Sequence, residues 1–376
     1  MAQKHQMHLV IATGGTGGHF YPALSVAGEV AARGVHVTFA VAGQHAEKQR
    51  EVARENGFEA DILRALRLPR RLPEALFFLP RLLAVRRSAR RWLQEREADV
   101  VLGMGSFAAV PVCLAAASAG CRLFLHEGNA VLGRANRVLA HRADALVLSL
   151  PLAGAQKVPC PTQLTGMPLR RGLLAAAEAP PRPAAVRARY GISADKPTLL
   201  VFGGSQGADA LNALLFDTAS GHADRLAAFQ VIHLTGRDDN RGLEQIYRQA
   251  GIRACVLAYE SAIENCYAAA DLVLARAGAA TIAELALFAK PAILIPYPHA
   301  ANDHQTVNAR LLAQRNAAVH LPQHEATPDR LVEVLRTWID SARQDEWARR
   351  AEALRAFAYP DAAAQVAELV VRTQSR

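Results

Sequence analysis

The sequence predicts an α/β fold with two domains, each built on a parallel sheet that helices cover on both faces. Three observations support this prediction. The chain has 376 residues, 51% of them hydrophobic, which is enough to bury two cores. Short β-branched runs alternate with helical segments through the first half, and the same alternation restarts at Thr198. Between the halves, residues 159–183 contain six prolines and favour a linker.

In the first half, a predicted strand at residues 8–12 leads through a glycine-rich loop into a helix over about residues 22–33. Gly34 follows that helix, as a glycine commonly does where a helix ends. Further strands are predicted at residues 35–41, 100–103, 123–126 and 145–148. In the second half, strands are predicted at residues 198–202, 230–234, 254–257, 272–275 and 292–296, followed by a helical tail that breaks at Pro360.

Composition and charge exclude several classes of protein. The five cysteines are an odd number without a Cys-x-x-Cys pair, so we expect reduced thiols in a cytoplasm. No apolar run reaches the roughly 18 to 20 residues that cross a bilayer, and no secretory leader is expected. The net charge of +9 is concentrated in residues 64–91, where nine arginines accompany only Glu74. Neither the stacking aromatics nor the reading element of a nucleic-acid module accompanies them, so no nucleic-acid partner is expected.

Two glycine-rich loops each follow a predicted strand. The first reads Thr13-Gly14-Gly15-Thr16-Gly17-Gly18-His19, and the second reads Gly203-Gly204-Ser205-Gln206-Gly207-Ala208. Glycines let backbone N–H groups approach an anion closely, and the following helix adds positive potential, so each loop predicts a phosphate cradle. The first loop lacks the Gly-x-Gly-x-x-Gly spacing of a dinucleotide site and the lysine of a P-loop. Two cradles in two halves predict two phosphorylated ligands that meet in a cleft.

Five motifs occur in one order along the chain. They are Gly14-Gly15-Thr16-Gly17-Gly18-His19, Gly103-Met104-Gly105, His126-Glu127-Gly128-Asn129, Gly203-Gly204-Ser205-Gln206-Gly207-Ala208 and Asp303-His304-Gln305-Thr306-Val307-Asn308-Ala309. This series resembles the motifs of the MurG family of peptidoglycan glycosyltransferases. The resemblance implies a GT-B fold with two facing Rossmann-like domains and an interdomain cleft, and no cofactor. It also implies inverting transfer of N-acetylglucosamine from UDP-N-acetylglucosamine (UDP-GlcNAc) to the muramyl 4-hydroxyl of an undecaprenyl-linked muramyl-pentapeptide.

The resemblance further implies which domain binds which ligand. Residues 1–166 with about 357–376 would bind the acceptor and the membrane, and residues 167–356 would bind the donor. The implied acceptor-binding residues are Gly14, Gly15, Thr16, Gly17, Gly18 and His19. The implied donor-binding residues are Thr16, Gly17, Gly18, Asn129, Arg170, Ser205, Gln206, Gly207, Thr281, Glu284 and Gln305.

Inversion by direct displacement needs a base on the acceptor side. His19 is the first candidate, because an imidazole with a pKa near 6.5 suits proton transfer, although it could merely cap local structure. Glu127 is the second candidate, since a carboxylate in a dry site can also act as a base. The sequence does not rank the two.

Several donor-side residues also admit a purely structural interpretation. Glu284 follows Thr281 by three residues, so the pair could be a capping box, whereas in the family the glutamate accepts from the ribose hydroxyls. Gln305 and Asn308 lie one turn apart and can share a helix face, yet both could be surface residues near an N-cap. Asn129 could be a turn residue rather than a contact for sugar hydroxyls.

The chain contains no Asp-x-Asp pair, which many nucleotide-sugar transferases use to hold a divalent ion on the diphosphate. The leaving charge would then be met by backbone amides at residues 205–207, by the helix dipole and by Arg170, although Arg170 could also be plain linker charge. We therefore predict a metal-independent transferase.

The basic segment contains an apolar run, Leu76-Phe77-Phe78-Leu79, which arginines including Arg81 and Arg86 follow. An apolar tip ringed by positive charge is typical of a membrane-surface contact. We predict peripheral docking on the anionic cytoplasmic face of the inner membrane. The plainer interpretation is a solvated helix whose core stripe is Leu82, Val85, Ala89, Trp92 and Leu93.

A few positions depart from the family pattern. Gly128 stands in place of a glutamine, Leu132 in place of a proline and Met167 in place of an asparagine, and residues 106–110 lack the usual second glycine. The departures cluster on the acceptor side, so another lipid or a soluble glycoside stays open as the acceptor. Two further hypotheses are a non-catalytic nucleotide-sugar binding protein and an epimerase on the same two-domain plan.

Overall fold

Two parallel sheets, one in each half of the chain, organise the structure. The computed structural model describes residues 6–66, 72–204, 209–238 and 240–372. Contacts divide the chain into two units: unit 1 comprises Met1–Arg170 and Tyr359–Arg376, and unit 2 comprises Arg171–Ala358. The chain therefore leaves unit 1 once and returns to it after unit 2.

Helices connect the strands of both sheets. They are α1 (Gly17–Ala31), α2 (Ala46–Glu55), α3 (Leu72–Glu95), α4 (Val110–Ala119), α5 (Arg134–Leu139), α6 (Arg171–Glu178), α7 (Pro183–Arg189), α8 (Asp209–Gly221), α9 (Ala223–Leu226), α10 (Arg241–Gln249), α11 (Ile263–Ala269), α12 (Ala279–Leu287), α13 (His304–Gln314), α14 (Pro328–Ile339), α15 (Gln344–Arg355) and α16 (Ala362–Val371). Among the described ranges, no helix combines the length and apolar character that crossing a bilayer requires.

Unit 1 contains a seven-stranded sheet in which neighbouring strands are parallel. Its strands are β1 (His8–Gly14), β2 (His36–Ala42), β3 (Glu59–Ile62), β4 (Val100–Gly103), β5 (Arg122–Glu127), β6 (Ala145–Leu148) and β7 (Thr162–Leu164). The order across the sheet is β3-β2-β1-β4-β5-β6-β7, so the direction of winding reverses between β1 and β4. Ligands of open parallel sheets bind beyond the carboxyl ends of the strands at such a reversal.

Alternate residues of β1 face two apolar layers. Leu9 and Ile11 pack with side chains of α1 and α16, whereas Val10 and Ala12 pack with side chains of α3 and α4. Because both faces are covered, all seven residues of β1 are buried, which is the pattern expected of a central parallel strand.

Unit 2 repeats this plan with six strands. They are β8 (Thr198–Phe202), β9 (Gln230–Leu234), β10 (Ala254–Leu257), β11 (Leu272–Ala275), β12 (Ala292–Leu294) and β13 (Val319–His320). Their order is β10-β9-β8-β11-β12-β13, and every neighbouring pair is parallel. The winding reverses between β8 and β11, so the loops after these two strands mark the ligand edge of unit 2.

The α/β prediction with two parallel sheets is confirmed, and the differences lie at element boundaries. α1 begins at Gly17, not near Pro22, because the glycine loop itself supplies the first helical turn. Residues 159–183 are more than a linker, since β7 and α6 lie within them. The edge strands β3, β7 and β13 were not predicted, because most of their residues are exposed or half-buried and their sequences lack the apolar run of a central strand.

The C-terminal segment completes unit 1. Val366, Ala367 and Val370 of α16 join the same apolar cluster as Phe20 and Ala23 of α1. Gly166 lies where the segment re-enters: its φ is +86°, and a Cβ placed on it would lie 2.1 Å from the Cβ of Tyr359. Only glycine fits such an approach.

Candidate active site: two loop clusters at the carboxyl edges of the sheets

The first loop cluster begins at the end of β1. Thr16 is the N-cap residue of α1, so the first glycine loop runs directly into the start of this helix. A Cβ on Gly14 would lie 2.2 Å from the carbonyl oxygen of Ala42 and 2.7 Å from the Cβ of Ala108. Gly14 is therefore required by close packing of its own backbone. The side chain of Gln49 donates to the carbonyl oxygen of Gly15 over 3.1 Å and holds the loop from α2.

The loop after β4 meets the first glycine loop. A Cβ placed on Gly105 would lie 3.1 Å from both Cε1 and Nδ1 of His19, so the imidazole packs directly over this glycine. A Cβ on Gly15 would lie 3.9 Å from Cδ2 of the same ring and 3.3 Å from Oγ of Ser106. Gly15, His19, Gly105 and Ser106 thus form one contact group where β1 and β4 end.

His126 lies at the end of β5 and is buried. Burial, and secondarily the electrostatic effect of the neighbouring His19, lowers the pKa of His126 to about 3, so its ring is neutral near neutral pH. Its Nε2 shares a 2.8 Å hydrogen bond with Oγ of Ser149, and that hydroxyl also lies 3.2 Å from the carbonyl oxygen of Gly166. His126 lies in one of the sequence motifs but had no predicted role, because burial is a property of the packed chain.

Glu127 is also buried, and its carboxylate accepts four hydrogen bonds from the loop that follows. Oε1 accepts from the backbone N of Asn129 at 3.1 Å and from its side chain at 3.3 Å. Oε2 accepts from the backbone N of Gly133 at 2.8 Å and from the side chain of Asn136 at 3.0 Å. The carboxylate therefore organises residues 128–136, and it fixes where the predicted donor contact Asn129 lies.

Arg170 lies beside the start of α1. Its guanidinium carbon is 5.6 Å from the centre of the Tyr21 ring, a cation–π distance. A Cβ on Gly17 would lie 3.2 Å from that same ring. Tyr21 therefore connects Arg170 to the first turn of α1, a role that its position in the sequence did not predict.

Helix α3 carries the predicted membrane residues, and the structure divides them between two faces. Phe77 and Leu79 are 60% and 61% exposed, whereas the ring of Phe78 stacks on Phe107 at 6.5 Å. The Arg86 side chain donates to the carbonyl oxygen of Leu114 at 3.2 Å. Phe78 therefore packs partly against Phe107, and the side chain of Arg86 is tied to α4. The side chain of Leu76 lies outside the described residues.

The second loop cluster begins at the end of β8. Gly204 has a φ of +68°, which favours glycine, and the predicted donor contacts Ser205, Gln206 and Gly207 lie outside the described residues. After β11, α12 starts at Ala279 with Gly278 as its N-cap and without a side-chain cap. The capping-box interpretation of Thr281 is therefore wrong, because Thr281 lies inside the helix. Glu284 instead accepts a 2.8 Å hydrogen bond from the Tyr267 hydroxyl.

Three polar side chains hold the loops after β11 and β12. Oε1 of Gln305 accepts from the backbone N of Ala277 at 3.2 Å and of Tyr297 at 3.0 Å. Asn308, buried one turn later, donates to the carbonyl oxygen of Ala277 at 3.0 Å, so both residues reach the same loop, as their spacing predicts. Arg276 is buried and donates to the carbonyl oxygens of residues 295 and 296. Burial lowers the pKa of Arg276. The structural role of this residue was not predicted from the sequence.

Within the described ranges, no group of three or more His, Cys, Asp or Glu side chains is placed to hold a metal ion. The two clusters contain backbone amides at loop and helix starts, the imidazole of His19, and a set of carboxamide and carboxylate side chains.

Comparisons with known proteins cover both clusters. Residues 9–148 match the model of the glycosyltransferase family 28 N-terminal domain, and residues 198–366 match that of the family's C-terminal domain. A protein of Acidithiobacillus ferrooxidans is 39% identical over 371 residues, covering 96% of each chain, and one of Sorangium cellulosum is 38% identical over 372 residues, covering 96% of this chain and 86% of the relative. Both relatives are named UDP-N-acetylglucosamine–N-acetylmuramyl-(pentapeptide) pyrophosphoryl-undecaprenol N-acetylglucosamine transferase. The crystal structure of Acinetobacter baumannii MurG matches with a TM-score of 0.77 at 28% identity, covering 97% of this chain and 99% of that one.

Proposed function

From the premise that this chain belongs to the MurG family, within glycosyltransferase family 28, we propose how its two loop clusters divide the reaction. The enzyme has a GT-B type fold with two Rossmann-like domains. It transfers N-acetylglucosamine from UDP-GlcNAc to undecaprenyl-pyrophosphoryl-muramyl-pentapeptide, lipid I, and so makes lipid II for peptidoglycan synthesis. The departures at Gly128, Leu132 and Met167 do not take the chain out of this family, since relatives with this acceptor in their names span 96% of it.

We assign the acceptor to the first cluster. Backbone N–H groups of residues 14–18 and the start of α1 would hold the diphosphate of lipid I, because they combine hydrogen-bond donors with positive helix potential. The muramyl 4-hydroxyl would then attack the anomeric carbon of the donor. A new C–O bond forms on one face of the sugar as the bond to UDP breaks on the other, which gives the inverted, β-linked disaccharide.

We assign the role of base to His19. The support is geometric: the ring lies at the meeting point of the β1 and β4 loops, with neutral His126 behind it. In contrast, both oxygens of Glu127 already accept hydrogen bonds from residues 129–136. Glu127 is therefore a positioning residue, which keeps Asn129 in place for the donor sugar.

We assign UDP-GlcNAc to the second cluster. Glu284 would accept from the ribose hydroxyls, and its support is the Tyr267 hydroxyl, which fixes the carboxylate away from its own helix cap. The side-chain oxygen of Gln305 already accepts hydrogen bonds from the backbone N–H groups of Ala277 and Tyr297, so its NH₂ group would donate to the sugar. Arg170 and the amides of residues 205–207 would receive the departing diphosphate.

We also propose that the enzyme docks on the anionic cytoplasmic face of the inner membrane through exposed side chains of α3. These side chains are the apolar Phe77, Leu79 and Leu83 and the basic Arg81 and Arg87. Each arginine near an anionic surface contributes about 1 kcal/mol, and each inserted large apolar side chain about 1.5 to 3 kcal/mol. The sum suits reversible, peripheral attachment to the membrane that holds the acceptor.

The observation that carries this function is the full-length similarity to transferases with this one activity. The test is transfer of labelled N-acetylglucosamine from UDP-GlcNAc to lipid I in detergent, with and without a chelator of divalent ions. We expect labelled lipid II and free UDP in equal amounts, at the same rate in both samples. Release of UDP without lipid II would contradict the acceptor, and loss of activity on chelation would contradict metal independence.

A further inference from the structure

Ser106 has a backbone conformation that favours glycine. Its φ is +69° and its ψ is 142°, and it is one of six non-glycine residues with positive φ in the described part of the chain. Residues other than glycine hold such conformations only at a cost, and those that do cluster at ligand sites. The neighbouring Gly105, at φ +80°, shows that two consecutive residues of this loop need positive φ.

The hydroxyl of Ser106 lies inside the first loop cluster. Its Oγ is 3.3 Å from the position that a Cβ on Gly15 would occupy, next to the ring of His19. Oγ accepts a 3.1 Å hydrogen bond from the backbone N of Ala108, which lies in a short 3₁₀ turn, Phe107–Ala109. Because this bond uses an oxygen lone pair, the hydroxyl proton can still be donated. Ser106 is half-buried, so that proton can reach a ligand held by the loop.

We propose that Ser106 is an acceptor-specificity residue, whose hydroxyl donates a hydrogen bond to a phosphate oxygen of the lipid-linked diphosphate. This inference rests on the proposed assignment of the acceptor to the first cluster. A glycine would relieve the backbone strain and would lack the donor, whereas serine keeps the donor at the expense of strain. The first turn of α1 carries no acidic residue, so the surroundings favour an anionic ligand over a sugar hydroxyl.

The sharpest test compares Ser106→Asn with Ser106→Asp, which have the same shape and differ in charge. An asparagine keeps an N–H donor, so we expect its KM for lipid I to stay within about threefold of the wild-type value. An aspartate adds a negative charge beside the phosphates, and we expect its KM for lipid I to be about tenfold to a hundredfold higher than that of the asparagine variant. The KM for UDP-GlcNAc should be the same in both.

A second pair separates the hydroxyl from the strain. Ser106→Gly removes both, and we expect a higher midpoint of thermal unfolding together with a KM for lipid I raised about threefold to tenfold. The matched control is Ala289→Gly in unit 2, where Ala289 has a φ of +46°. We expect that variant to raise the unfolding midpoint and leave the KM for lipid I unchanged.

Equal KM values for lipid I in the aspartate and asparagine variants would overturn the proposal, and so would an unchanged KM in Ser106→Gly. Either result would leave Ser106 as a cap of the 3₁₀ turn. These outcomes are distinct from failure of the proposed function, because that failure would appear as absent transfer to lipid I in the wild-type protein.

Discussion

Single residues at the carboxyl edge of unit 1 serve either packing or chemistry, and residue type alone does not distinguish the two. Gly14 was predicted as an anion contact, yet its missing side chain is needed for a 2.2 Å approach to the backbone of Ala42. Glu127 was predicted as a second base, yet it accepts four hydrogen bonds from its own loop. A glycine or a carboxylate in a motif predicts a functional or structural role at that position. Which of the two roles it has depends on the residues that surround it in the folded chain.

His19 and Glu127 should respond differently to the same kind of substitution. We expect His19→Gln to lower kcat by about a hundredfold to ten-thousandfold, the usual contribution of a general base, with an unchanged midpoint of thermal unfolding. We expect Glu127→Gln to be less stable, because an amide cannot accept all four hydrogen bonds and each unsatisfied donor costs about 1 to 3 kcal/mol. The measurements are steady-state rates at saturating substrates and thermal melts of each variant.

Two outcomes would reverse this assignment. Near-normal turnover by His19→Gln would exclude the imidazole as the base. Loss of turnover in a Glu127→Gln variant that melts like the wild type would make the carboxylate the base instead.

At the scale of elements, the helical period identifies which residues of α3 form a stripe, but not which face that stripe meets. The run of residues 76–79 is apolar around nearly a full turn, so its sequence gives no inward direction. The direction comes from Phe107, which is distant in sequence and stacks on Phe78. In the same way, the start of α12 depends on the turn at Gly278, and the Thr281–Glu284 pattern of a capping box is coincidental there.

Helix α3 offers a matched pair of substitutions for the membrane contact. We expect Phe77→Ser combined with Leu79→Ser to reduce sedimentation with anionic vesicles, because both side chains are exposed, while activity in detergent is retained. We expect Phe78→Ser to leave vesicle binding unchanged and to lower stability by about 2 to 4 kcal/mol, because it removes a packed ring. Equal vesicle binding by the double variant and the wild type would exclude these two exposed side chains of α3 as the contact.

At the scale of the whole molecule, alternation of apolar runs was enough to predict two parallel sheets, because central strands such as β1 and β8 are buried on both faces. The alternation of apolar runs does not predict the strand order or the short edge strands, because both depend on pairing between distant segments of the chain. In the donor loop, the motif predicts contacts at residues 205–207. These residues lie outside the described part of the chain, so the contacts stay predictions.

Each unit contains a buried histidine whose titration affects the stability of the chain. Burial lowers the pKa of His126 and of His233 from 6.5 to about 3, and the electrostatic effect of neighbouring His19 contributes to the lowering at His126. Above pH 6.5 both histidines are neutral in the folded and the unfolded chain. Below pH 6.5 each histidine is protonated in the unfolded chain but stays neutral in the folded chain. The free energy of unfolding should therefore fall by roughly 1.4 kcal/mol per pH unit for each histidine, down to about pH 3.

The measurement is denaturant unfolding of the wild type and His233→Gln between pH 6.5 and 4. We expect a slope of free energy against pH that is shallower in the variant by about 1.4 kcal/mol per unit. Substitution of the exposed His141 by glutamine is the control and should leave the slope unchanged. A slope equal to that of the wild type in His233→Gln would contradict the lowered pKa.

The return of the chain to unit 1 has a consequence for biosynthesis. A ribosome translates all of unit 2 before it reaches α16, whose Val366, Ala367 and Val370 cover the same apolar layer as α1. While unit 2, about half of the polypeptide, is being made, the apolar layer beside α1 therefore lacks the side chains that α16 contributes to it. Unit 1 can therefore be completed only at the end of translation, after all of unit 2 has been made.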